Sequence, residues 1–351
     1  MSSSFKTFRW LVLLAAILMP RQAAQAVMLA RYTLDDDVNG VLNLGTDTES
    51  NLIPAPAEAS TAGGPTYSAT DGKLDGYAIF SGNQALVANT AGNAADDLAG
   101  YPFTLSAWIR IPTGVTSITA RGAAVGMING AAADQYFSLG TETSGEGNDL
   151  QGVRRNTPFV STEGVGTKAT IFDNNWHHVA VVNPNASKSR LYLDGVQVGI
   201  SSTTVNFSTG VNQLSIGGMR RSAGWIDEFA GHIDEVSLYN EALVPEQIQF
   251  IMNNIGVAPA SVAPCDVNVS GGCTIDDLQI IANNFYTSVP TRGMGDLNED
   301  GFVNFADYRI WKDVSGSGAT LADVMGNVPE PGAIAILSLA LCGLGAWRAR
   351  R

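Results

Sequence analysis

Oxygen-bearing side chains recur at fixed intervals near the end of this 351-residue chain. The stretch "DLNEDGFVNFAD" begins at position 296 and has Asp, Asn and Asp at its first, third and fifth positions. Gly follows at the sixth position, Asn stands at the ninth and Asp at the twelfth. Calcium takes about six to eight oxygen ligands from alternate residues of such a loop, and the glycine allows its sharp turn. The spacing therefore predicts a calcium site.

A second copy of this pattern, "DVNVSGGCTIDD", begins thirty residues earlier, at position 266. Each copy runs into a segment with helical spacing of apolar residues, 276–285 and 306–314, and such a duplication is more specific than one acidic run. The predicted ligands, with the seventh residue acting through its main-chain carbonyl, are Asp266, Asn268, Ser270, Gly272, Thr274 and Asp277, then Asp296, Asn298, Asp300, Phe302, Asn304 and Asp307. The alternative is a pair of solvated acidic loops, and Ser270 removes one charge from the first.

The two loop-helix units, which lack an entering helix, resemble a type I dockerin over residues 265–320. The resemblance implies Ca²⁺ as the cofactor and calcium-dependent docking to a cohesin-like partner. In that family the tenth and eleventh loop residues help to choose the partner. Here they are Ile275-Asp276 and Phe305-Ala306, unlike the Ser/Thr pairs of cellulosomal dockerins. The partner could instead be another surface protein, or the module a calcium-stiffened spacer.

The cysteines suggest one covalent bridge beside the first loop. Cys342 lies near the C-terminus, which leaves Cys265 and Cys273 in the body of the chain. An even count in an exported protein predicts a disulfide between them, and two free thiols are the alternative.

The N-terminal residues have the order of a secretory signal peptide covering 1–26. Lys6 and Arg9 precede an apolar run, and "AQA" supplies small residues before a cut ahead of Val27. The alternative is a membrane-anchoring helix, for which the apolar run is short.

The C-terminal residues, 328–351, combine a Pro-Glu-Pro turn, an apolar stretch and an arginine cluster. They resemble the PEP-CTERM sorting signal of Gram-negative bacteria. The resemblance implies a transient membrane anchor, processing by an exosortase near Pro329, Glu330 and Pro331, and delivery through the inner membrane to the cell surface or extracellular matrix. An ordinary C-terminal anchor is the alternative, since the apolar stretch is close to the roughly 20 residues that span a bilayer.

Between residues 27 and 255, Gly, Ser, Thr and Asn separate short runs of Val, Ile, Leu and aromatic residues, a pattern typical of an all-β sandwich or barrel. The alternation in "FTLSAWIRI" (103–111) predicts a half-buried strand with Trp108 on its less apolar face. Further strands are predicted at 176–182, 189–199, 213–218 and 231–240. Asp194-Gly195 predicts a hairpin turn, and Pro245 in "VPEQIQFIMNN" predicts a short helix.

Four of these segments carry a family resemblance: "FTLSAWIRIP", "NNWHHVAVV", "SRLYLDGVQVG" and "GHIDEVSLYNEALVPEQI". In this order they are similar to the LamG-type jelly roll of the concanavalin A-like lectin/glucanase superfamily, over residues 27–255. The predicted fold class is all-β, a concanavalin A-like jelly-roll sandwich, followed after a linker (256–264) by a small α-helical dockerin-like module with two calcium loops (265–320). The superfamily hosts lectins, adhesion modules and glycosidases, so the fold leaves the function open.

The resemblance also implies a third calcium site. Many members of the superfamily bind a structural calcium through an Asp near the start of the last strand, and Asp234 in "HIDEV" matches that place. Asp35, Asp36 or Asp37 would join it. The alternative is that Asp234 only accepts hydrogen bonds from loop amides.

No catalytic residues are predicted. The glycosidases of the superfamily carry two glutamates in an E-x-D-x-x-E pattern, whereas "TETSGEGND" has Gly145 between Glu142 and Glu146. His177 and His178 are adjacent on a strand and point to opposite faces, so they cannot share a metal.

The net charge of -13 argues against a nucleic-acid partner. The sequence therefore predicts an exported, non-catalytic protein of the cell surface or matrix that binds a glycan or a surface protein. The alternatives are a divergent polysaccharide-degrading glycosidase and a structural matrix component that binds no sugar. Conceivable sugar contacts are Trp108, Tyr136, Arg154 and Trp225, although burial in the core is the favoured explanation for each.

Overall fold

The computed structural model divides into two compact units, residues 1–261 and 262–351, which we call the sandwich unit and the C-terminal unit. The structure describes residues 26–36, 42–46, 52–54, 64–88, 95, 98, 100–113, 115, 121–129, 135–142, 149–156, 171–206, 211–221, 224–289 and 291–325. The predicted sorting tail and all but Ala26 of the predicted signal peptide lie outside these residues, and so do Pro329, Glu330 and Pro331. None of the helices in the described part of the chain is long and apolar enough to cross a bilayer.

Antiparallel strands build the sandwich unit. They are β1 (Met28–Tyr32), β2 (Ile53–Pro54), β3 (Thr66–Ser68), β4 (Tyr77–Ser81), β5 (Leu86–Ala88), β6 (Phe103–Arg110), β7 (Arg121–Ile128), β8 (Tyr136–Glu142), β9 (Asp149–Arg155), β10 (His177–Asn185), β11 (Lys188–Leu193), β12 (Val196–Ser201), β13 (Gln213–Ile216), β14 (Met219–Arg221), β15 (Gly224–Ile226) and β16 (Ala230–Tyr239). An eight-stranded sheet has the order β12-β11-β10-β6-β16-β4-β3, with β1 also paired to β16. A six-stranded sheet has the order β2-β5-β13-β7-β8-β9, and β14 and β15 form a separate hairpin.

The core of this unit lies between the two sheets. Alternate residues of β6 (Phe103, Leu105 and Ala107) point into it, as the alternation predicted. The prediction of a half-buried strand was wrong, because the less apolar face is covered as well and Trp108 there is only 6% exposed. The strand lies between β10 and β16, and the side chain of Lys73 covers the Trp108 ring at 3.8 Å.

The predicted hairpin and short helix are both present. Asp194 and Gly195 join β11 to β12 with φ values of +49° and +76°, and these left-handed conformations match the twist of a two-residue turn. Helix α1 (Pro245–Asn253) begins at Pro245 and buries Ile248 and Ile251 against the outer side of the eight-stranded sheet.

Part of the predicted linker is bound to the sandwich unit. The N–H of Ala26 donates to the carbonyl of Pro259 at 3.0 Å. The side-chain amide of Gln247 in α1 donates to the carbonyl of Ala260 at 2.6 Å. These bonds explain why the boundary between the units falls after Ser261.

The C-terminal unit is helical. It contains α2 (Ile275–Asn283), a 3₁₀ turn (Arg292–Met294), α3 (Phe305–Ser315) and α4 (Leu321–Met325). Trp311 is fully buried at the centre of a small apolar cluster with Leu278 and Ile281. Helices α2 and α3 follow the two predicted loops as expected, whereas α4 extends the unit beyond the predicted end at residue 320, because Leu321 packs into the same cluster.

Candidate functional sites

The first predicted loop is closed by hydrogen bonds from its main chain to two buried aspartates, Asp266 and Asp277. Asp266 accepts the N–H of Ser270 at Oδ1 and that of Gly271 at Oδ2, each at 2.9 Å. Asp277, in the first turn of α2, accepts at Oδ2 the N–H of Thr274 at 2.7 Å. The carboxylate at position 12 therefore orders the start of the helix as well as the loop.

The second loop repeats this scheme. Asp296 accepts the N–H of Asp300 at Oδ1 (3.0 Å) and that of Gly301 at Oδ2 (2.8 Å). Asp307, in the first turn of α3, accepts the N–H of Asn304 at 2.9 Å. Gly301 has a φ of +88°, in the left-handed region where glycine is favoured, and this explains its place at the turn.

The position-12 carboxylates also reach back to the third residue of each loop. Asp277 Oδ1 accepts the N–H of Asn268 at 3.1 Å, and Asp307 Oδ1 accepts that of Asn298 at 3.0 Å. In each loop, these hydrogen bonds bring the position-12 aspartate close to the main chain at the third position. Gly272 and Phe302, the predicted carbonyl donors, lie one residue beyond the sixth-position glycines.

Negative charge is concentrated in the second loop. Burial raises the pKa of Asp296, and the nearby charges of Asp307 and Asp300 raise it further. Within the described residues, no group of three or more His, Cys, Asp and Glu side chains could hold a metal ion by itself. A cation here would need amide and main-chain oxygens as well, and such all-oxygen donor sets suit calcium.

Additional bonds hold the first loop. Cys265 and Cys273 form a disulfide with a Cα–Cα distance of 5.2 Å. The guanidinium of Arg292 donates to the carbonyls of Asp266 (2.7 Å) and Ala263 (2.8 Å). The loop is therefore fastened at its beginning to the 3₁₀ turn.

Asp234, the predicted ligand on the sandwich unit, is fully buried in β16. Its Oδ2 accepts the N–H groups of Lys73 (2.6 Å) and Leu74 (3.3 Å), the amide contacts that the alternative interpretation expects. Its Oδ1 is buried without a hydrogen-bond partner. Burial, followed by the charge of Glu235, raises the pKa of Asp234 to about 8.

Asp35 lies close enough for its charge to raise the pKa of Asp234 further. Its own Oδ1 accepts the N–H of Gly76 at 2.9 Å. Glu235 instead pairs with the guanidinium of Arg31 at 2.8 Å. The buried oxygen of Asp234 and the oxygens of Asp35 fit the hard oxygen donors that calcium prefers. Of the other candidates, Asp36 is half-buried and Asp37 lies outside the described residues.

The adjacent histidines have different environments, as predicted. His178 is buried on the outer side of β10 beside Trp108, with ring centres 5.3 Å apart. His177 lies between two carboxylates, with Nδ1 2.9 Å from Asp194 Oδ2 and Nε2 3.1 Å from Asp173 Oδ1. The hydrogen bond to Asp194 is the main cause that raises the pKa of His177.

The sugar contacts considered from the sequence are mostly structural. Trp108, Tyr136 and Arg154 are all buried. Arg154 donates from Nη1 to the carbonyls of Ala186 (2.9 Å) and Lys188 (3.1 Å), so it links the two sheets. The side chain of Trp225 lies outside the described part of the structure.

A shallow depression, with a volume of about 10 Å³, lies on the outer face of the six-stranded sheet. Its lining includes Gly122, Ser138, Gly140, Gln151, Val153 and Asp227. Asp227 follows the hairpin β14-β15, and its carbonyl accepts the N–H of Ala123 at 2.7 Å. A side chain at Gly140 would collide with the carbonyl of Gly122, which keeps the floor free of side chains. No local sequence pattern indicates this site, because its residues come from three strands and a turn.

The two packed antiparallel sheets and the helix behind them define a β-sandwich of the jelly-roll class. Residues 82–249 match the Laminin_G_3 family, described as concanavalin A-like lectin/glucanases superfamily. This match supports the concanavalin A-like jelly roll that the sequence predicted for these residues.

Several solved structures are similar to this unit. Domain 4 of AbnA, an extracellular arabinanase from Geobacillus stearothermophilus in complex with arabinotriose, is 18% identical with a TM-score of 0.48, covering 65% of this chain and 99% of its own. The CBM40 of a Ruminococcus gnavus IT-sialidase is 18% identical with a TM-score of 0.42, covering 50% of this chain and 96% of its own. The binding domain of Botulinum neurotoxin DC, in complex with SialylT, is 12% identical with a TM-score of 0.44, covering 66% of this chain and 52% of its own. Comparison with curated proteins found none that matches this chain.

Proposed function

We propose that the sandwich unit binds a glycan without cleaving it, at the depression on the outer face of the six-stranded sheet. The mixture of hydroxyl, amide and carboxylate groups supports this proposal. Ser138, Gln151 and Asp227 line a floor that the glycines keep free of side chains. Sugar hydroxyls both donate and accept hydrogen bonds, and a few convergent polar groups on a rigid sheet suit such a ligand.

The same lining supports binding over hydrolysis. Glycosidases need two carboxyl groups on opposite sides of the scissile bond, about 5–10 Å apart. Among the described side chains that line the depression, Asp227 is the only carboxylate. The proposal therefore excludes a polysaccharide-degrading activity at this site.

A glycan array probed with the full chain tests the proposal. We expect binding to a restricted set of glycans and its loss in Gln151→Ala. Gln279→Ala is the matched control, because Gln279 lies on α2 and bonds only to Asn283 there. An array without any signal would favour a structural matrix component instead. Release of reducing ends over many turnovers would contradict the proposal and indicate a glycosidase.

We further propose that the C-terminal unit binds two calcium ions as a dockerin-like module. The repeated hydrogen-bond scheme around Asp266 and Asp277, and again around Asp296 and Asp307, supports this proposal. Asp234 of the sandwich unit would hold a third ion, since its buried Oδ1 has no protein partner. Calorimetric titration with calcium should show three sites in the full chain and two in Asp234→Asn.

Exposed aromatic rings support a docking role for the C-terminal unit. Tyr286 and Phe305 are 59% and 58% exposed, and each packs edge-to-face on Phe285. Phe305 and Ile275 occupy the tenth loop position, where dockerins contact their partners. Such rings on a small unit favour a protein partner at the cell surface.

The docking role is tested by retention of the full chain on cell envelopes. We expect retention in calcium, release by a chelator, and weak retention of Phe305→Ser. Val314→Ser is a control, since Val314 is also exposed but lies at the far end of α3. If neither the chelator nor Phe305→Ser changes retention, the docking role is contradicted and the unit would be a spacer.

The proposal includes export to the cell surface or matrix and exosortase processing near Pro329, Glu330 and Pro331. The sequence patterns at the two ends support it. Mass spectrometry of the mature protein should find an N-terminus at Val27 and a C-terminus near the Pro-Glu-Pro turn. A mature chain that retains Arg351 would contradict the processing.

A further inference from the structure

A cluster on the outer face of the eight-stranded sheet brings together four residues that are distant in sequence. Arg110 ends β6 and pairs in register with His232 of β16. Its guanidinium carbon lies 4.7 Å from the ring centre of Tyr77 and 4.8 Å from that of Trp176. Tyr77 is buried, whereas the other three side chains are half-buried. We call these four residues the Arg110 cluster.

The guanidinium is held in one orientation. Arg110 Nε donates to His232 Nδ1 at 2.9 Å, and since Nδ1 accepts, the proton of the neutral ring is on Nε2. Burial and the charge of Arg110 lower the pKa of His232 to about 4, in agreement with a neutral ring. Trp176 is fixed in turn, because its indole N–H donates to the main-chain carbonyl of Asp71 at 3.0 Å.

The two terminal NH₂ groups of Arg110 remain for another partner, because Nε is already engaged. No carboxylate of the described residues forms an ion pair with Arg110, although the chain has 33 acidic residues. Lys73 adds a second positive charge to this face of the sheet, over the ring of Trp108. The cluster therefore holds a positively charged guanidinium in a fixed orientation, in a chain whose net charge is -13.

We propose that the Arg110 cluster binds the carboxylate of an acidic saccharide, such as a uronate residue. The planar end of a guanidinium matches the two oxygens of a carboxylate with two parallel hydrogen bonds. The half-buried ring of Trp176 offers an apolar surface on which the C–H face of a sugar can pack. This site lies on the opposite sheet from the depression and does not depend on the function proposed for it.

Isothermal titration of the full chain with trigalacturonate and with its methyl ester tests the proposal. The acid should bind, and esterification should weaken binding at least about tenfold, because it removes the charge and one acceptor. Arg110→Lys should weaken binding of the acid by a similar factor, since an ammonium group cannot form the paired bonds. Arg309→Lys is the matched control, because Arg309 is an exposed arginine of α3.

Equal binding of acid and ester would overturn the proposal, and this comparison uses the unaltered protein, so it holds even if Arg110→Lys does not fold. Unchanged affinity in a folded Arg110→Lys would overturn it as well. Triglutamate binding as tightly as the saccharide would show that the site takes acidic peptides and would also overturn it. Gln151→Ala should leave trigalacturonate binding unchanged, whereas its loss would place the acid in the depression.

Discussion

The sandwich unit and the C-terminal unit are stabilised in different ways. In the sandwich unit, a large apolar cluster fills the space between two sheets, and buried polar groups such as Arg154 link strands that are distant in sequence. The C-terminal unit has a small cluster around Trp311, and much of its order comes from hydrogen bonds within two short loops.

This difference follows from size. A small unit buries too little apolar surface to offset the loss of chain entropy, so it needs additional constraints. In the C-terminal unit these are the position-12 aspartates, the disulfide Cys265–Cys273 and the proposed calcium ions. The units should therefore respond differently to chelators, reductants and pH.

Calcium removal should have the largest effect, and it should be much larger in the C-terminal unit than in the sandwich unit, whose large apolar cluster remains when the proposed ion at Asp234 is removed. Without the cations, the carboxylates of Asp296, Asp300 and Asp307 repel one another, so α2 and α3 should lose most of their protection from hydrogen exchange. Exchange measured by mass spectrometry, with and without a chelator, checks this while β10 and β11 serve as an internal reference. Equal loss of protection in both units would contradict the view that the two units are stabilised in different ways.

Asp307→Ala, measured in calcium, should reproduce the effect in one loop and cost about 2–4 kcal/mol of unfolding free energy in the C-terminal unit. The substitution leaves the N–H groups of Asn298 and Asn304 without their acceptor. Asp313→Ala is the control, since the Asp313 side chain is 67% exposed in its pair with Arg309. A similar cost for both variants would contradict a specific role of Asp307.

Loss of the disulfide should have a smaller effect. Replacing Cys265 and Cys273 by Ser should lower the stability of the C-terminal unit by about 2 kcal/mol, because the closed loop is short. Hydrogen exchange should increase around the first loop and α2 more than around the second loop. Titration of the unaltered exported protein that finds two free thiols would contradict the bridge.

The charge at the fifth loop position should set the difference in calcium affinity between the two loops. Ser270→Asp gives the first loop the same carboxylate count as the second and should raise its calcium affinity about fivefold to tenfold. The reverse change, Asp300→Ser, should lower the affinity of the second loop by a similar factor. Calorimetric titration with calcium measures the affinity of each loop in both variants. A changed affinity in the loop that was not altered would contradict the assumption that the two sites are independent.

The smallest expected effect is a pH dependence of the stability of the sandwich unit. This unit contains the three histidines of the chain. The carboxylates of Asp194 and Asp173 raise the pKa of His177 above its ordinary 6.5. The charged ring therefore stabilises the folded state fully below pH 6.5, and this contribution is lost as pH rises through the raised folded pKa. Since both carboxylates are more than a third exposed, we expect only about 0.5–1 kcal/mol.

Urea unfolding of the sandwich unit at pH 6 and pH 8.5, in saturating calcium, measures this contribution as the difference between the unaltered chain and His177→Gln. The variant should be less stable than the unaltered chain at pH 6 and nearly equal to it at pH 8.5. A difference that stays constant across this range would mean that the charge of His177 has no part in the stability.

Local patterns were the most predictable features. The Asp194-Gly195 turn, the start of α1 at Pro245 and the helices after each loop depend on neighbouring residues, and all are present. The prediction that β6 is half-buried was wrong, because alternation along one strand does not show that Lys73 covers Trp108 on its outer face. Helix α4 was missed because five residues carry little periodicity of their own.

The sequence by itself determined the position and register of the two loops, since all predicted ligands of each loop lie within twelve consecutive residues. It also determined the jelly-roll class through the order and spacing of its strands. Only the tertiary structure decided which polar groups meet on the sheet faces. Arg110, His232, Tyr77 and Trp176 come from four separate segments, and so do the walls of the depression. Sheet pairing between distant segments creates these sites, and no local pattern in the chain encodes that pairing.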